Sequence, residues 1–584
     1  MNRRQLISAL LAAALCAGTA PAALAAQSGI PPAAASSADM AAGRRADLDT
    51  LIGTLERVHP NLYANTPKAD FAAKQADIAS KLDAMSDFDF AIAVSELVAL
   101  VRDSHTGANI GAFGEALRFL PFDVAWMDGG WVFVSLTRDQ ADCLGGTLTA
   151  INGIPISDVQ ARVSPMIGSD NDTYARRQFG GLLYVYEILE HYGVAQDPSH
   201  IALTVRLQDG STCELTVAAQ TRAQMQQLDV VSLAAQRTGA PATAADKSKT
   251  YFMKPLDSRT LYIQYNACRE DEDLSMETFT GQVKTEIEQN SYDRAIVDLR
   301  NNGGGSDGVL VPLIHLLEEK HEQDGMAFYT LIGEATFSSA LINAVELKEA
   351  GATLVGTPTG GSVDHFGSVS SFNLPNSGIR IGYSTKFIDL GSMLDAAKPY
   401  SVQSLPPDLL AAQTLRDYLA GKDTAVEAIL SRTGDTAPAK LVLTRGALAA
   451  ALGRAYAAET GETLNLEQPT FSDVSMFSYL APYVVWAQKN GILYGETASS
   501  FAPDRAVTRQ ELAAVLSRYA AFRGRPFPAA GTCSPADAAS IAPWALDAAR
   551  SLAEAGVLPL KNGAFQPRGT VARADWAGIF ARLP

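Results

Sequence analysis

Residues 295–306 read Ala-Ile-Val-Asp-Leu-Arg-Asn-Asn-Gly-Gly-Gly-Ser, an apolar run that leads into three consecutive glycines. The run has strand composition, and the glycines allow the backbone to approach a ligand closely and to present its N–H groups. Strands and helices alternate around this stretch between residues 250 and 432, which predicts a parallel or mixed sheet covered by helices. The predicted strands are 261–265, 295–299, 328–332 and 353–356, and the predicted helices are 275–289 and two that begin near 308 and 339.

The segment 334–340, Glu-Ala-Thr-Phe-Ser-Ser-Ala, follows the third of these strands and opens a helix. A serine at such a turn, here Ser338, is presented at the edge of the sheet, and the N–H groups at the start of the helix point toward an anion formed on it. An acyl-forming nucleophile needs this arrangement. Serine is also a common helix cap, so a plain capping role is the alternative interpretation.

The glycine run 303–305 allows three interpretations: half of an oxyanion hole, a phosphate-binding loop, or a tight turn. The phosphate-binding patterns GxxxxGK[ST] and GxGxxG are both absent, which argues against the second. A serine nucleophile also needs a base, and residues 360–367 contain no lysine for a Ser–Lys mechanism. His105 and His365 are then the available bases.

The rest of the chain divides by pattern into a helical part, a part with short strands, and repeats. Apolar residues at helical spacing begin at Arg44, and strand-like runs with turn signals fill about 115–220. The stretches 236–249 and 432–440 are polar or small and are predicted to be linkers. Beyond them, Arg445, Arg509 and Arg573 follow one another at intervals of 64 residues, each at the start of an Ala/Leu-rich helix, which indicates an internal repeat.

The amino terminus has the pattern of a secretory signal peptide. Arg3 and Arg4 precede an apolar run that is too short to span a membrane, and small residues around Ala25 form a cleavage site. We therefore expect a signal peptide at 1–26, a flexible leader at 27–43, and a secreted chain without a membrane span. Export permits a Cys143–Cys213 disulfide, although unpaired buried thiols are the favoured expectation.

The composition excludes several classes of function. The 584 residues are 47% hydrophobic and carry a net charge of −16. Large cores can therefore be buried, and an acidic chain without basic runs is a poor ligand for nucleic acid. Neither CxxC nor HExxH occurs, so we expect no metal site and no cofactor.

Five motifs together resemble those of the C-terminal processing and tricorn-type family of serine peptidases. The resemblance covers about 44–432. It implies a multidomain α/β chain with an N-terminal helical domain (44–112), a PDZ-like β domain (115–225) and a crotonase-like or ClpP-like α/β catalytic core (250–432). The motifs are 102–106 (Arg-Asp-Ser-His-Thr), 146–153 (Gly-Thr-Leu-Thr-Ala-Ile-Asn-Gly), 298–305 (Asp-Leu-Arg-Asn-Asn-Gly-Gly-Gly), 336–340 (Thr-Phe-Ser-Ser-Ala) and 355–361 (Val-Gly-Thr-Pro-Thr-Gly-Gly).

The resemblance implies a role for each matching residue. Ser338 corresponds to the nucleophile, and Gly304 and Ser339 correspond to the residues whose N–H groups form the oxyanion hole. His105 corresponds to the tricorn-branch histidine that acts as the base. Ser104 corresponds to the serine that helps to orient this histidine.

Two features depart from the family pattern. The lysine base of the bacterial processing branch is missing, and no motif places the acidic residue that follows the nucleophile in the tricorn branch. Asp389 and Asp395 stand at plausible distances for that acid. His365 lies in a loop that the family writes differently, and we interpret it as structural or substrate-side in preference to catalytic.

The repeats at 440–584 resemble surface-layer homology motifs. The second copy matches well, through Phe471-Ser472-Asp473-Val474 and Val507-Thr508-Arg509-Gln510-Glu511, while the third is degenerate. Such modules bind anionic secondary cell-wall polymers. Arg445, Arg509 and Arg573 are the matching basic positions, suited to carboxylate or phosphate groups, and packing between repeats is their alternative role.

The sequence thus predicts an exported serine endopeptidase, held at the cell wall, that acts on peptides or unfolded proteins through an acyl-enzyme. The alternatives are a catalytically inactive peptide- or ligand-binding surface protein on the same fold, and a structural wall protein whose repeats carry the function.

Overall fold

The structure, a computed structural model, describes residues 37–241, 243, 246–432, 442–462, 464, 468–474, 478–529, 533–572 and 575–584. The predicted signal peptide, the leader as far as residue 36, most of the linker 432–440, and Arg573 lie outside the described residues. The fold is a mixed α/β arrangement of several parts. No helix in these described ranges has both the length and the apolar composition needed to cross a membrane.

The first part of the chain is helical. It contains α1 (Ser37–Val58), α2 (Lys68–Ala79) and α3 (Asp87–Ala99), followed by the short strand β1 (Gly107–Asn109). A capping box formed by Ser86 and Asp89 starts α3, which buries nearly all of its apolar side chains. Helix α1 begins inside the predicted leader, because the Ala-rich sequence there favours a helix and Ala41 packs against the helical core.

The second part is a sheet with short helices. Five strands are ordered β10-β4-β5-β7-β8, with β3 beside β4, β6 beside β5, and β2 paired with β9. Their apolar faces close over one core with Phe133, Ile151 and Phe179 at its centre. The elements are β2 (Arg118–Phe119), β3 (Asp123–Met127), β4 (Gly130–Thr137), β5 (Thr147–Ile151), β6 (Ile154–Pro155), α4 (Ile156–Val163), α5 (Asp172–Leu182), α6 (Tyr186–His191), β7 (Ile201–Arg206), β8 (Thr212–Val217), β9 (Gln220–Thr221), α7 (Arg222–Met225) and β10 (Val230–Ser232).

The cysteines differ from the favoured expectation of unpaired thiols. Cys143 and Cys213 form a disulfide, because β8 carries Cys213 to the turn that ends in Cys143. Cys268 and Cys533 are free thiols, and Cys268 is buried.

The third part is the α/β core that the alternating pattern predicts. Its six-stranded sheet has the order β11-β12-β13-β14-β15-β18, parallel from β12 onward, with helices on both faces. The elements are β11 (Tyr251–Asp257), β12 (Thr260–Tyr265), α8 (Met276–Gln289), β13 (Arg294–Asp298), α9 (Val311–Asp324), β14 (Ala327–Ile332), α10 (Ser339–Glu349), β15 (Thr353–Gly356), β16 (His365–Asn373), β17 (Arg380–Ile388), β18 (Leu409–Leu410), α11 (Leu415–Leu419) and α12 (Thr424–Leu430).

A hairpin leaves this core and ties it to the helical part. Strands β16 and β17 pair with each other, and β17 also pairs with β1, so that Ala108 lies opposite Ile381. The segment between α3 and β1, which carries His105, is thereby held against the core.

The C-terminal part consists of helices joined by turns. Thr444 and Thr508 cap the starts of equivalent helices, as the 64-residue period predicts. The helices are α13 (Arg445–Thr460), α14 (Ala481–Lys489), α15 (Arg509–Phe522), α16 (Leu546–Glu554) and α17 (Trp576–Phe580).

Acidic side chains on α9 join the core to this C-terminal part. The buried carboxylate of Glu318 accepts hydrogen bonds from the Tyr479 amide (2.8 Å) and the Ser478 hydroxyl (3.0 Å). The hydroxyl of Tyr479 donates to Glu322 (3.0 Å), and Glu319 pairs with Arg454. Burial raises the pKa of Glu318 to about 7, against the hydrogen bonds that favour its charged form.

We expect this junction to weaken as the pH rises. A carboxyl whose pKa is higher in the folded than in the unfolded chain stabilises the fold at low pH. That contribution, about 3 kcal/mol for a rise from 4.5 to about 7, is lost between those two pH values. Glu318→Gln should therefore raise the Tm relative to wild type at pH 8 and lose this advantage at pH 5. Thermal unfolding at both pH values, with the exposed Glu427→Gln as control, measures the difference; parallel pH curves for wild type and Glu318→Gln would contradict the assignment.

Candidate active site

Ser338 lies at a sharp turn between β14 and α10. Its backbone has φ 54° and ψ −130°, a region that non-glycine residues rarely occupy and that costs about 1–3 kcal/mol. Its side chain makes no capping hydrogen bond to the helix, which removes the plain capping interpretation. The turn instead presents the Ser338 hydroxyl to a groove at the end of the sheet.

This groove, the central groove hereafter, has a volume of about 1160 Å³. The predicted residues Ser104, His105, Gly304, Ser338 and Ser339 all line it, although they come from segments far apart in the sequence. The fold therefore brings the predicted site residues together.

The glycine loop packs directly behind Ser338. Gly304 has φ +105°, and a Cβ atom there would lie 2.8 Å from the Cβ of Ser338 and 3.1 Å from the amide nitrogen of Ser339. The amide of Gly304 donates to the buried side chain of Asn302 (2.9 Å), whereas the Ser339 amide makes no hydrogen bond within the described parts of the chain. One of the two expected oxyanion donors is thus free, and the other is held by Asn302.

Gly304→Ala is expected to lower kcat/KM by about 100-fold or more. The methyl group would meet Ser338, and the positive φ disfavours any side chain, so the loop must move away from the nucleophile. Loss of one oxyanion donor alone costs about 10²–10³-fold. Gly308→Ala is the matched control, because nothing lies within 4 Å of its added carbon. Equal activities of the two variants, both folded by circular dichroism, would contradict the role of Gly304.

His105 is buried and lines the same groove as Ser338, but it makes no hydrogen bond to it. Its ring stacks with the ring of Phe337 (centroids 4.3 Å apart) and with that of His365 (5.2 Å). Both ring nitrogens are buried without a hydrogen-bond partner. No hydrogen bond therefore links Ser338 to His105 in this conformation.

Asp103 is the acidic residue beside His105, and the sequence analysis assigned it no role. Its Oδ1 accepts the His105 amide (2.9 Å) and lies 3.9 Å from the His105 Nδ1. Its Oδ2 accepts from His59 (3.3 Å) and from the hydroxyls of Thr106 and Ser384 (both 2.6 Å). Burial alone would raise the pKa of Asp103, but these hydrogen bonds and the nearby His105 hold it below its ordinary value. The position of Asp103, two residues before the histidine, was the available signal.

The other acidic candidates lie elsewhere. Asp389 lines the central groove and caps a short helix through the Ser392 amide (3.0 Å), and Asp395 pairs with Lys398. Neither bonds to His105, because both ring nitrogens of that histidine are unpartnered.

Ser104 does not contact the His105 ring through a hydrogen bond either. Its hydroxyl donates to the half-buried Asp170 (2.6 Å), which also accepts from Ser362 (2.9 Å). Ser104 thus joins the helical part to the second part of the chain, Asp170 in turn contacts Ser362 of the core, and any effect of Ser104 on His105 in this conformation acts through the backbone.

His365 begins β16. Its Nδ1 lies 3.3 Å from the Val363 carbonyl oxygen. It does not line the central groove, and its contact with the site is the ring stack with His105. This position agrees with a structural role.

The pH dependence of activity should reflect the burial of His105. Burial, and then the neighbouring His365, lower the pKa of His105 to about 4, against the opposing effect of Asp103. The neutral, proton-accepting form then persists down to about pH 4. We expect the acid limb of the kcat/KM profile to have its midpoint well below 6.5, the ordinary value for histidine. A profile between pH 4 and 8, with folding checked at each pH, measures it. A midpoint at 6.5 would show that the ring is solvated in the working enzyme.

The repeat arginines are buried, which favours packing over polymer binding. Arg445 donates from Nε to the Phe501 carbonyl (2.8 Å) and lies over the Phe501 ring; Arg509 makes the same contacts with Phe565. Only 7% and 6% of these two residues are exposed. The packing role is thus present at Arg445 and Arg509, polymer binding by them stays a prediction, and Arg573 lies outside the described residues.

Comparisons with known proteins found similar solved structures and one matching family model. The structure is similar to mature CPAF complexed with lactacystin (TM-score 0.47, 14% identity, covering 65% of this chain and 96% of that one). It is similar to the photosystem II D1 C-terminal processing protease (TM-score 0.32, 11% identity, covering 65% of this chain and 98% of that one). It is also similar to the tricorn protease (TM-score 0.30, 16% identity, covering 66% of this chain and 36% of that one). No curated protein matches the chain. Residues 470–513 match the family model of the S-layer homology domain, and this chain therefore carries such a domain in its C-terminal part.

Proposed function

We propose that the chain is an exported serine endopeptidase that its C-terminal repeats hold at the cell surface. One observation carries the proposal. Ser338 is held in a strained backbone conformation with its hydroxyl free of capping bonds, and it faces the same groove as the buried His105. Strain of this kind persists only where the surrounding structure imposes it, and it concentrates at active sites.

In the proposed reaction, Ser338 Oγ attacks the peptide carbonyl carbon while His105 takes the hydroxyl proton. The tetrahedral oxyanion is held by the amides of Ser339 and Gly304, so the Gly304 N–H must leave Asn302 as the intermediate forms. His105 then gives its proton to the leaving amine. Water, activated by the same histidine, hydrolyses the acyl-enzyme.

Asp103 is proposed to stabilise the protonated form of His105. Its carboxylate is buried, lies 3.9 Å from Nδ1 and is fixed by three side chains. This position is comparable to the acidic member of a Ser-His-Asp triad, reached here from the residue two places earlier in the chain.

The second part of the chain is proposed to bind the substrate, and the C-terminal part is proposed to hold the protein at the cell wall. The sheet at 115–225, interpreted as PDZ-like, would add an extended peptide to an edge strand, and the core at 250–432 is interpreted as crotonase-like. The S-layer homology domain would bind an anionic wall polymer. Deletion of 440–584 should then release the protein from purified cell walls; unchanged retention would contradict the anchoring role.

The alternative is a catalytically inactive binder on the same fold. It is favoured by the unbonded state of His105, whose ring nitrogens contact neither Ser338 nor an acid at hydrogen-bond distance.

Covalent labelling distinguishes the two. A fluorophosphonate should form a stable adduct with the mature wild-type protein on the peptide that contains Ser338, and none with Ser338→Ala. Labelling of neither protein, under conditions in which both are folded, would favour the binder. Labelling of both would show that a serine other than Ser338 is reactive and would contradict the site assignment.

A further inference from the structure

The central groove has positively charged walls. On one wall, α5 presents Tyr174, Arg177 and Gln178, which share a helical face. Tyr174 stacks on Phe337, the neighbour of the nucleophile, with ring centroids 5.1 Å apart. Arg177, three residues further along α5, is therefore placed within one helical turn of that stack.

The opposite wall is the hairpin of β16 and β17, which contributes Arg380 and Lys386. The guanidinium of Arg380 is oriented by Ser371, whose hydroxyl oxygen accepts from Nε (3.2 Å) and Nη2 (3.0 Å). Val369 and Phe387 are exposed beside them and add an apolar rim.

These three cations have no carboxylate partner in the described chain, although acidic residues outnumber basic ones by 63 to 47. Other arginines of the core and its neighbours do pair: Arg300 contacts Asp298 and Asp423, and Arg118 contacts Glu187. Arg177 differs from these arginines, because it is half-buried in the central groove of an acidic protein and yet has no carboxylate partner in the described chain. A cation without a carboxylate partner at such a groove attracts ligands of the opposite charge.

The groove also contains three carboxyl groups, but they are engaged elsewhere. Asp389 accepts the Ser392 amide, and Glu346 accepts from the Asn343 side chain (2.8 Å). Asp307 lies near the Ser339 hydroxyl (3.5 Å). Burial raises the pKa of Glu346 to about 7, so the floor of the groove carries less negative charge than its composition suggests. None of the three pairs with a cation of the walls.

Resting on the proposed peptidase activity, we propose that the substrates are peptides with an acidic side chain close to the cleaved bond, and that Arg177 binds this carboxylate. A guanidinium can hold a carboxylate through two parallel hydrogen bonds, which selects its position as well as its charge. Lys386 and Arg380 on the facing wall would attract the acidic segment without fixing it.

The test uses a series of unfolded peptides. A single Glu is placed at successive positions of the peptide, and each Glu peptide is compared with the peptide that has Gln at the same position. For the wild type we expect kcat/KM to be about tenfold higher for Glu at one position near the scissile bond. Arg177→Met should remove this preference, and Arg177→Glu should prefer Lys at that position. Arg206→Met, exposed on β7 outside the groove, is the matched control and should behave as wild type.

Each outcome separates the proposal from its rivals. The same peptides with amidated C-termini test whether the terminal carboxylate is the true ligand; loss of the preference on amidation would overturn the side-chain assignment. A preference that survives Arg177→Met would overturn the role of Arg177. Equilibrium binding of the Glu and Gln peptides to Ser338→Ala is measured in parallel. A Glu preference in binding without any hydrolysis by wild type would mean that the proposed activity had failed while the carboxylate site stood.

Discussion

Ser338→Ala is expected to lower the rate of peptide hydrolysis by about 10⁴- to 10⁶-fold. Without Oγ no acyl-enzyme can form, and only binding and the oxyanion donors remain to assist direct attack by water. The substitution removes one atom from a side chain that makes no capping hydrogen bond, so the fold should not change. Cleavage of an unfolded protein at neutral pH, followed for wild type and variant purified in parallel, gives the ratio.

The control for this measurement is Ser431→Ala, an exposed serine after α12 whose loss should leave activity unchanged. Equal activity of wild type and Ser338→Ala would identify a contaminating peptidase or a different nucleophile, and the site would have to be reassigned.

His105→Phe is expected to reduce kcat by about 10³- to 10⁶-fold. Phenylalanine keeps the ring stacked on Phe337 and fills the same buried space, but it cannot accept a proton. Because nucleophile and base act as one unit, the double variant with Ser338→Ala should be no slower than Ser338→Ala alone. Single-turnover kinetics on a peptide ester and a peptide amide measure the loss for each variant.

A matched substitution at an unrelated histidine separates the catalytic effect from general damage. His200 lies on an exposed turn of the second part of the chain, and His200→Phe should leave kcat unchanged. Full activity of His105→Phe, or additive losses in the double variant, would show that His105 is not the base for Ser338.

The sequence predicted the α/β core well, because each of its elements is decided locally. The apolar run at 295–299, the glycines after it and the Ser338 turn appear in the structure as strand, loop and helix start. The sequence analysis missed the hairpin of β16 and β17, since its stretch is rich in Ser and Gly and only four of the eighteen strand residues are buried.

Long-range contacts account for the rest of the difference. The sequence analysis assigned no role to Asp103, because its partner Ser384 is 281 residues away in the chain. The burial of Arg445 likewise depends on a carbonyl 56 residues later. The spacing of residues in the sequence does not predict such contacts, whereas the periodicity of apolar residues and the composition predict strands and helices directly.

The pairing of β1 with β17 means that the site containing His105 is incomplete until both ends of this contact have been synthesised and folded. The segment that carries His105 is held by residues 380–384, so a nascent chain that ends before them contains Ser338, the proposed nucleophile, without the strand that positions His105, the proposed base. An enzyme that cuts unfolded polypeptide is a danger to its own unfolded copies. In the proposed peptidase, a site that is complete only after this hairpin has formed would be inactive in the unfolded chain, and the protein would thereby be protected from digesting its own unfolded copies.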